Sequence, residues 1–166
     1  MFARVIARLF RRQDGASAVE FALLVPVVVA LIAGCFEASN ALSVWLTLKK
    51  ASEVGTRFAT TGQGDQDGTR LSRIIAATQN VVSQSRNIVV VISVQSWAGI
   101  TPSGTGRSGN PGVPCDTVEV RVSHNYQPIT PLGSLVALLH GSTVWSAPLP
   151  MSGATKMVNE PWQPCP

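Results

Sequence analysis

Glu20 is the first side chain in this sequence whose type and position demand chemistry. It is the single carboxylate in an apolar run of 21 residues from Ala16 to Phe36. A charge at the middle of a bilayer costs about 2.5–3.5 kcal/mol on insertion scales, and less near either end. A carboxylate there points to a cationic partner, or to a seat at the interface from which it snorkels to headgroups. Thiol chemistry is the second candidate. Cys35 lies in the same run, whereas Cys115 and Cys165 lie far beyond it. In an oxidising compartment the latter two can pair and close a loop of about fifty residues, worth ~4 kcal/mol in the chain-entropy model. The alternative is two free thiols whose separation forbids bonding.

Acid–base chemistry has thin support. The two histidines are His124 and His140, and His124 has no acidic partner at a recognisable spacing. Only folding could bring it beside Asp116 or Glu119, as an anchored periplasmic enzyme would need. None of HExxH, CxxC, GxSxG or GxxxxGK[ST] occurs. The stretch from Ser103 to Gly112 has glycines enough to suggest a phosphate cradle, but it lacks the lysine and any following helix, so it reads as a flexible loop. The sequence therefore points away from an enzyme: no cofactor, no metal ligands and no small-molecule substrate.

The charge distribution narrows the partners. The net charge is +4, but Arg4, Arg8, Arg11 and Arg12 against Asp14 leave +3 within the first fifteen residues and +1 in everything after Gly15. No basic stripe survives outside that leader, which argues against nucleic acid as a partner. Basic residues beside a span are held on the cytoplasmic side, and the far flank offers Lys49 and Lys50. The expected topology is N-terminus in and C-terminal domain out, with about 130 residues in the periplasm or beyond if the cell is bacterial.

These residues need elements to position them. Ala41, Val44, Trp45, Leu48, Ala51, Gly55 and Phe58 recur at helical spacing, so one helix is predicted from about Ala16 to Ala59, half in lipid and half amphipathic. Pro26 kinks such a helix without ending it. Glycines and turn formers from Thr60 to Gly68 end it, and a second helix is predicted from Thr69 to Ser83, with Leu71, Ile74, Ile75, Thr78 and Val82 along one side.

The β-branched run Asn87 to Trp97 reads as a buried strand, paired antiparallel with Thr117 to Tyr126. In the latter, Val118, Val120 and Val122 face inward and Glu119 and Arg121 outward. The connection from Ala98 to Asp116 reads as an exposed loop. Pro131 to His140 reads as a short apolar helix or interfacial turn, and Ser142 to Ala147 and Gly153 to Asn159 supply one or two further strands. Trp45, Trp97, Trp145 and Trp162 read as packing or interface residues. The expected fold is α+β: a long N-terminal helix, transmembrane and then amphipathic, packed on a small antiparallel sheet. Its expected parts are a basic cytoplasmic leader (1–15), a transmembrane helix (16–36), an amphipathic extension (37–60) and a periplasmic α+β domain (61–166).

The segment Arg11-Arg-Gln-Asp-Gly15-Ala-Ser-Ala-Val-Glu20-Phe21, with the apolar run after it, resembles the start of TadE-like pilus-assembly proteins, the pseudopilins of tight-adherence (Flp) systems. The resemblance continues from Glu37 through Ala59 and becomes one of layout in the outer domain. It implies that a prepilin peptidase cuts after Gly15, making Ala16 the new N-terminus, Glu20 the fifth residue and Phe21 the usual aromatic. It also implies the inner membrane, other pilin and pseudopilin subunits and the Tad secretion machinery as partners. The large outer domain fits the minor or accessory class.

The physics of that motif is simple. Glycine lets an extended backbone enter a protease. A new amino group is positive at neutral pH, and a carboxylate one turn away can neutralise it, or that of a neighbouring subunit, more strongly in lipid than in water. Two alternatives occupy the same segment. Ile32-Ala-Gly-Cys35 resembles a lipobox, which would make Cys35 an acylated N-terminus and the protein an envelope binding module. An uncleaved signal-anchor is the other. Against the lipobox stand Glu20 and Pro26 within or beside the apolar region, the long leader, and an amphipathic helix where lipoproteins carry a polar tether.

Overall fold

The computed structural model describes residues 14–130, 141 and 147–165. The arginine leader, the apolar stretch 131–140 with His140, and residues 142–146 with Trp145 lie outside the described residues. The first helix, α1, runs Asp14–Thr60 without a break and contains Pro26. The chain divides into two units, one holding its first 39 residues with 128–146, the other holding 40–127 with 147–166.

The larger unit is α+β. It comprises α1 from Asn40 onward, α2 (Arg70–Ser85), and a four-stranded sheet of β1 (Val91–Trp97), β2 (Arg107–Ser108), β3 (Thr117–Tyr126) and β4 (Leu149–Val158). The strand order is β2-β1-β3-β4 and every pair is antiparallel. Val120 stands opposite Val94 of β1 and Thr155 of β4.

Alternation along β3 creates the core. Val118, Val120 and Val122 are fully buried and meet two clusters, one with Val44, Leu48, Ala51, Val82 and Tyr126, the other with Ala59, Ile74 and Val94. Each large apolar side chain so buried contributes about 1.5–3 kcal/mol relative to exposure. The buried face of α1 is Val44, Leu48, Ala51, Ser52, Gly55, Thr56 and Ala59. Its small residues let the helix approach closely: a Cβ on Gly55 would collide with the Thr78 side chain of α2. Hydroxyls complete the fit, as Thr56 Oγ1 donates to the Ser52 and Thr155 carbonyls at 2.7 and 3.1 Å. Asn40 Nδ2 donates to Tyr126 Oη at 2.8 Å, and Arg86 donates to Asn40 Oδ1 at 2.6 Å and Ser43 Oγ at 3.0 Å.

Arg70, the first residue of α2, is buried and reaches three elements. It donates to the Ala59 carbonyl at 2.7 Å and the Gly112 carbonyl at 2.6 Å, and it pairs with Asp65 at 3.3 Å. The Trp162 ring lies 4.4 Å from its guanidinium carbon. The Ala59 carbonyl is one of the groups that a helix end leaves without an intrahelical partner, so Arg70 satisfies it.

Several expectations change in detail. The β-branched run does not form a strand from Asn87: β1 starts at Val91, and Val89 and Val91 are exposed, because a run of β-branched residues does not say which side is covered. The connection from Ala98 to Asp116 is not wholly an exposed loop. It contains β2, which pairs with Gln95 and Ser96, and it buries Gly112, Pro114 and Asp116. Glu119 lies on the outer face yet is buried there, under Arg121 at 2.9 Å and Lys156 at 3.2 Å. Trp45 lies off the packed stripe and is exposed, and β4 begins at Leu149, four residues before the predicted start.

Candidate functional site

The smaller unit carries the residues with the most chemical interest. From Ser17 to Ile32 every residue of α1 is exposed, whichever way it faces, and the apolar members include Phe21, Leu24, Val28 and Leu31. A helix apolar on all sides belongs in a bilayer or a protein core, and no described protein surface covers this one. By length and composition α1 is able to cross a membrane. Glu20 is the one charged residue between Ser17 and Phe36, and it is exposed. Gly15 is also exposed, and apart from its chain neighbours and its own helix turn nothing lies within 4 Å of where a Cβ would stand. Ala16 and Glu20 are four residues apart in the same helix, about 6 Å along its axis. Phe21 follows, 69% exposed.

At the other end of this stretch the surface changes. Ala33, Gly34 and Glu37 are half-buried. The Glu37 carboxylate accepts from the backbone N–H of Ile129, 3.2 and 3.1 Å from its two oxygens, and from that of Thr130 at 2.9 Å. Sequence reasoning passed over Glu37. Its one signal is that it is the first charge after Glu20, directly following Phe36.

The remaining candidates serve the larger unit. Cys115 and Cys165 are joined by a disulfide, with Cα atoms 5.7 Å apart, and Cys35 is an exposed free thiol. Among the described residues His124 is paired with no acid. Its Nδ1 donates to the Val89 carbonyl at 2.7 Å.

Asp116 is buried and accepts from Gly99 N and Val113 N, both at 3.0 Å, and from Arg107. Burial alone would raise its pKa. The Val113 and Gly99 N–H groups and Arg107 outweigh that and hold the carboxyl below the usual range. Asn159 closes the same corner, donating to the Pro111 and Val113 carbonyls at 3.0 and 2.9 Å. Burial lowers the Arg70 pKa, against the opposing pull of Asp65 and Asp116. These ties between loop, strand and tail are structural in character. Among the described residues no group of three or more His, Cys, Asp or Glu is placed to hold a metal ion.

Among the described residues this arrangement presents an uncovered apolar helix with one carboxylate, long and apolar enough to cross a membrane. No curated protein and no solved structure matches the chain. The family model described as TadE-like protein matches residues 15–57, so the similarity to that family covers most of α1.

Proposed function

We propose that this protein is a minor pilin or pseudopilin of a tight-adherence (Flp) pilus, inserted in the bacterial inner membrane and trimmed after Gly15 by a prepilin peptidase. Its role is structural rather than enzymatic. The observation that carries this is a coincidence of boundaries. The TadE-like match opens at Gly15 and extends along α1 to residue 57, so it contains the whole uncovered apolar stretch and its lone acid.

In this reading the basic leader stays in the cytoplasm and residues 61–166 form a periplasmic domain. Cleavage frees an amino group on Ala16, one turn from Glu20. That carboxylate neutralises it, or the amine of an adjacent pilin or pseudopilin subunit, while the apolar helices pack laterally. Phe21 supplies aromatic contact area beside the charge. Energy for assembly comes from a separate ATPase of the Tad machinery, and surface adhesion and biofilm formation follow downstream. Acylation at Cys35 is the competing reading. The unbroken course of α1 through Cys35 supports the pilin assignment, since a lipoprotein carries a flexible tether after its acylated cysteine.

Co-expression separates the two. A peptidase-dependent gain in gel mobility, abolished by Gly15→Ala, is expected of the pilin. Incorporation of a palmitate analogue that is lost in Cys35→Ser, with no response to the peptidase, would replace this reading by the lipoprotein.

A further inference from the structure

We propose that the turn Pro128–Thr130 is a membrane-surface contact, held at the outer end of the span by Glu37 so that Ile129 enters the boundary between headgroups and acyl chains. The inference rests on α1 being membrane-spanning and goes beyond it, because nothing in the pilin reading requires a second point of lipid contact.

Backbone chemistry carries the argument. A backbone N–H taken away from water costs free energy unless it is hydrogen-bonded, so a turn whose N–H groups are paired enters a water-poor region at less cost. In Pro128-Ile-Thr-Pro131 the two prolines have no N–H, so Ile129 and Thr130 supply the donors of this turn. Both donate to the Glu37 carboxylate, at 2.9–3.2 Å. The turn therefore has no N–H left that needs water, and its unpaired polar side-chain atom, Thr130 Oγ1, is buried within the protein. The same bonds set its place: Glu37 directly follows Phe36, which is 70% exposed at the end of the apolar stretch, so Ile129 is held at that level.

Ile129 is 73% exposed, a large apolar side chain turned away from the protein. The lipid-facing helix is uncovered up to Ile32, and partial cover begins at Ala33 and Gly34, one turn before Glu37. A lipid boundary is continuous with that uncovered surface. The carboxylate sits where interfacial water and headgroups still solvate it.

Depth-resolved quenching on the full chain in phosphatidylcholine–phosphatidylglycerol vesicles tests this. A Cys35→Ser background carries an environment-sensitive fluorophore on Ile129→Cys or, separately, on Val28→Cys. The label at position 129 is expected to be quenched by a spin label near the headgroups and shielded from aqueous iodide. Adding Glu37→Ala is expected to reverse that preference at position 129 while leaving position 28 lipid-quenched and the Cys115–Cys165 disulfide intact. Iodide access at 129 with lipid quenching at 28 would overturn the inference and leave the span standing. Shielding from both quenchers at 129 would mean a protein partner covers Ile129, and would overturn it as well. Loss of lipid quenching at position 28 would remove the span itself, and the inference with it.

Discussion

Gly153 of β4 lies against the backbone of Leu48 in α1, so closely that a Cβ on the glycine would sit 2.5 Å from the Leu48 carbonyl carbon. The helix thus rests on bare strand, and any side chain at 153 must push the two apart. Gly153→Ala is expected to destabilise the α+β unit by about 1–3 kcal/mol, and Gly153→Val by more, as overpacking does in a close-packed interior. Thermal melting of the detergent-solubilised protein checks this, with the larger fall in Tm for valine.

Asp116 should govern part of the acid response. Its folded pKa lies below the ordinary value near 3.9, so its contribution is fully present above about pH 4 and is lost as the pH falls through the depressed folded value. Asp116→Asn is expected to be less stable than the native chain at neutral pH, with the gap narrowing as the pH drops below about 4. Melting curves between pH 7 and strong acid measure the gap. A constant gap would deny the carboxylate this role.

The Cys115–Cys165 bond closes a loop over a sequence separation of 50. Reduction, or Cys165→Ser, is expected to cost up to ~4 kcal/mol in the chain-entropy picture. The tail from Glu160 is held otherwise by a few contacts, among them Glu160 N to the Thr60 carbonyl at 3.0 Å and Trp162 over Arg70. Denaturation with and without reductant reports the difference, and non-reducing mass spectrometry reports the bond.

Much of this architecture was legible where a repeating pattern is its cause. The stripe Val44, Leu48, Ala51, Gly55 announced both the helix and its buried face, and the alternation Val118, Val120, Val122 announced β3. Features made by single long-range contacts were not. Nothing near Arg70 in the sequence points to the Gly112 carbonyl, 42 residues away, and nothing marks the two-residue β2 inside a glycine-rich stretch. Trp45 misled because it falls at helical spacing beside the stripe yet outside it. In the candidate site, Gly15 and Glu20 stood out as glycine and acid flanking an apolar run. Glu37 was missed because its partners are backbone N–H groups 92 and 93 residues on, which no side-chain pattern reveals.

Glu20→Leu separates processing from assembly. On the proposed function, the variant is expected to be trimmed like the native chain, since the proposed cut lies upstream, but to enter pili poorly because an amine at Ala16 would lose its counter-charge in lipid. Sheared-filament fractions compared with membrane fractions measure this. Normal piliation would remove the charge contact from the mechanism.

N-terminal sequencing of protein extracted from membranes, with and without a co-expressed prepilin peptidase, bears most directly on the whole account. The expected result is a chain beginning at Ala16 when the peptidase is present and at Met1 when it is absent. A chain that begins at Met1 under both conditions, or at Cys35 under either, would contradict it.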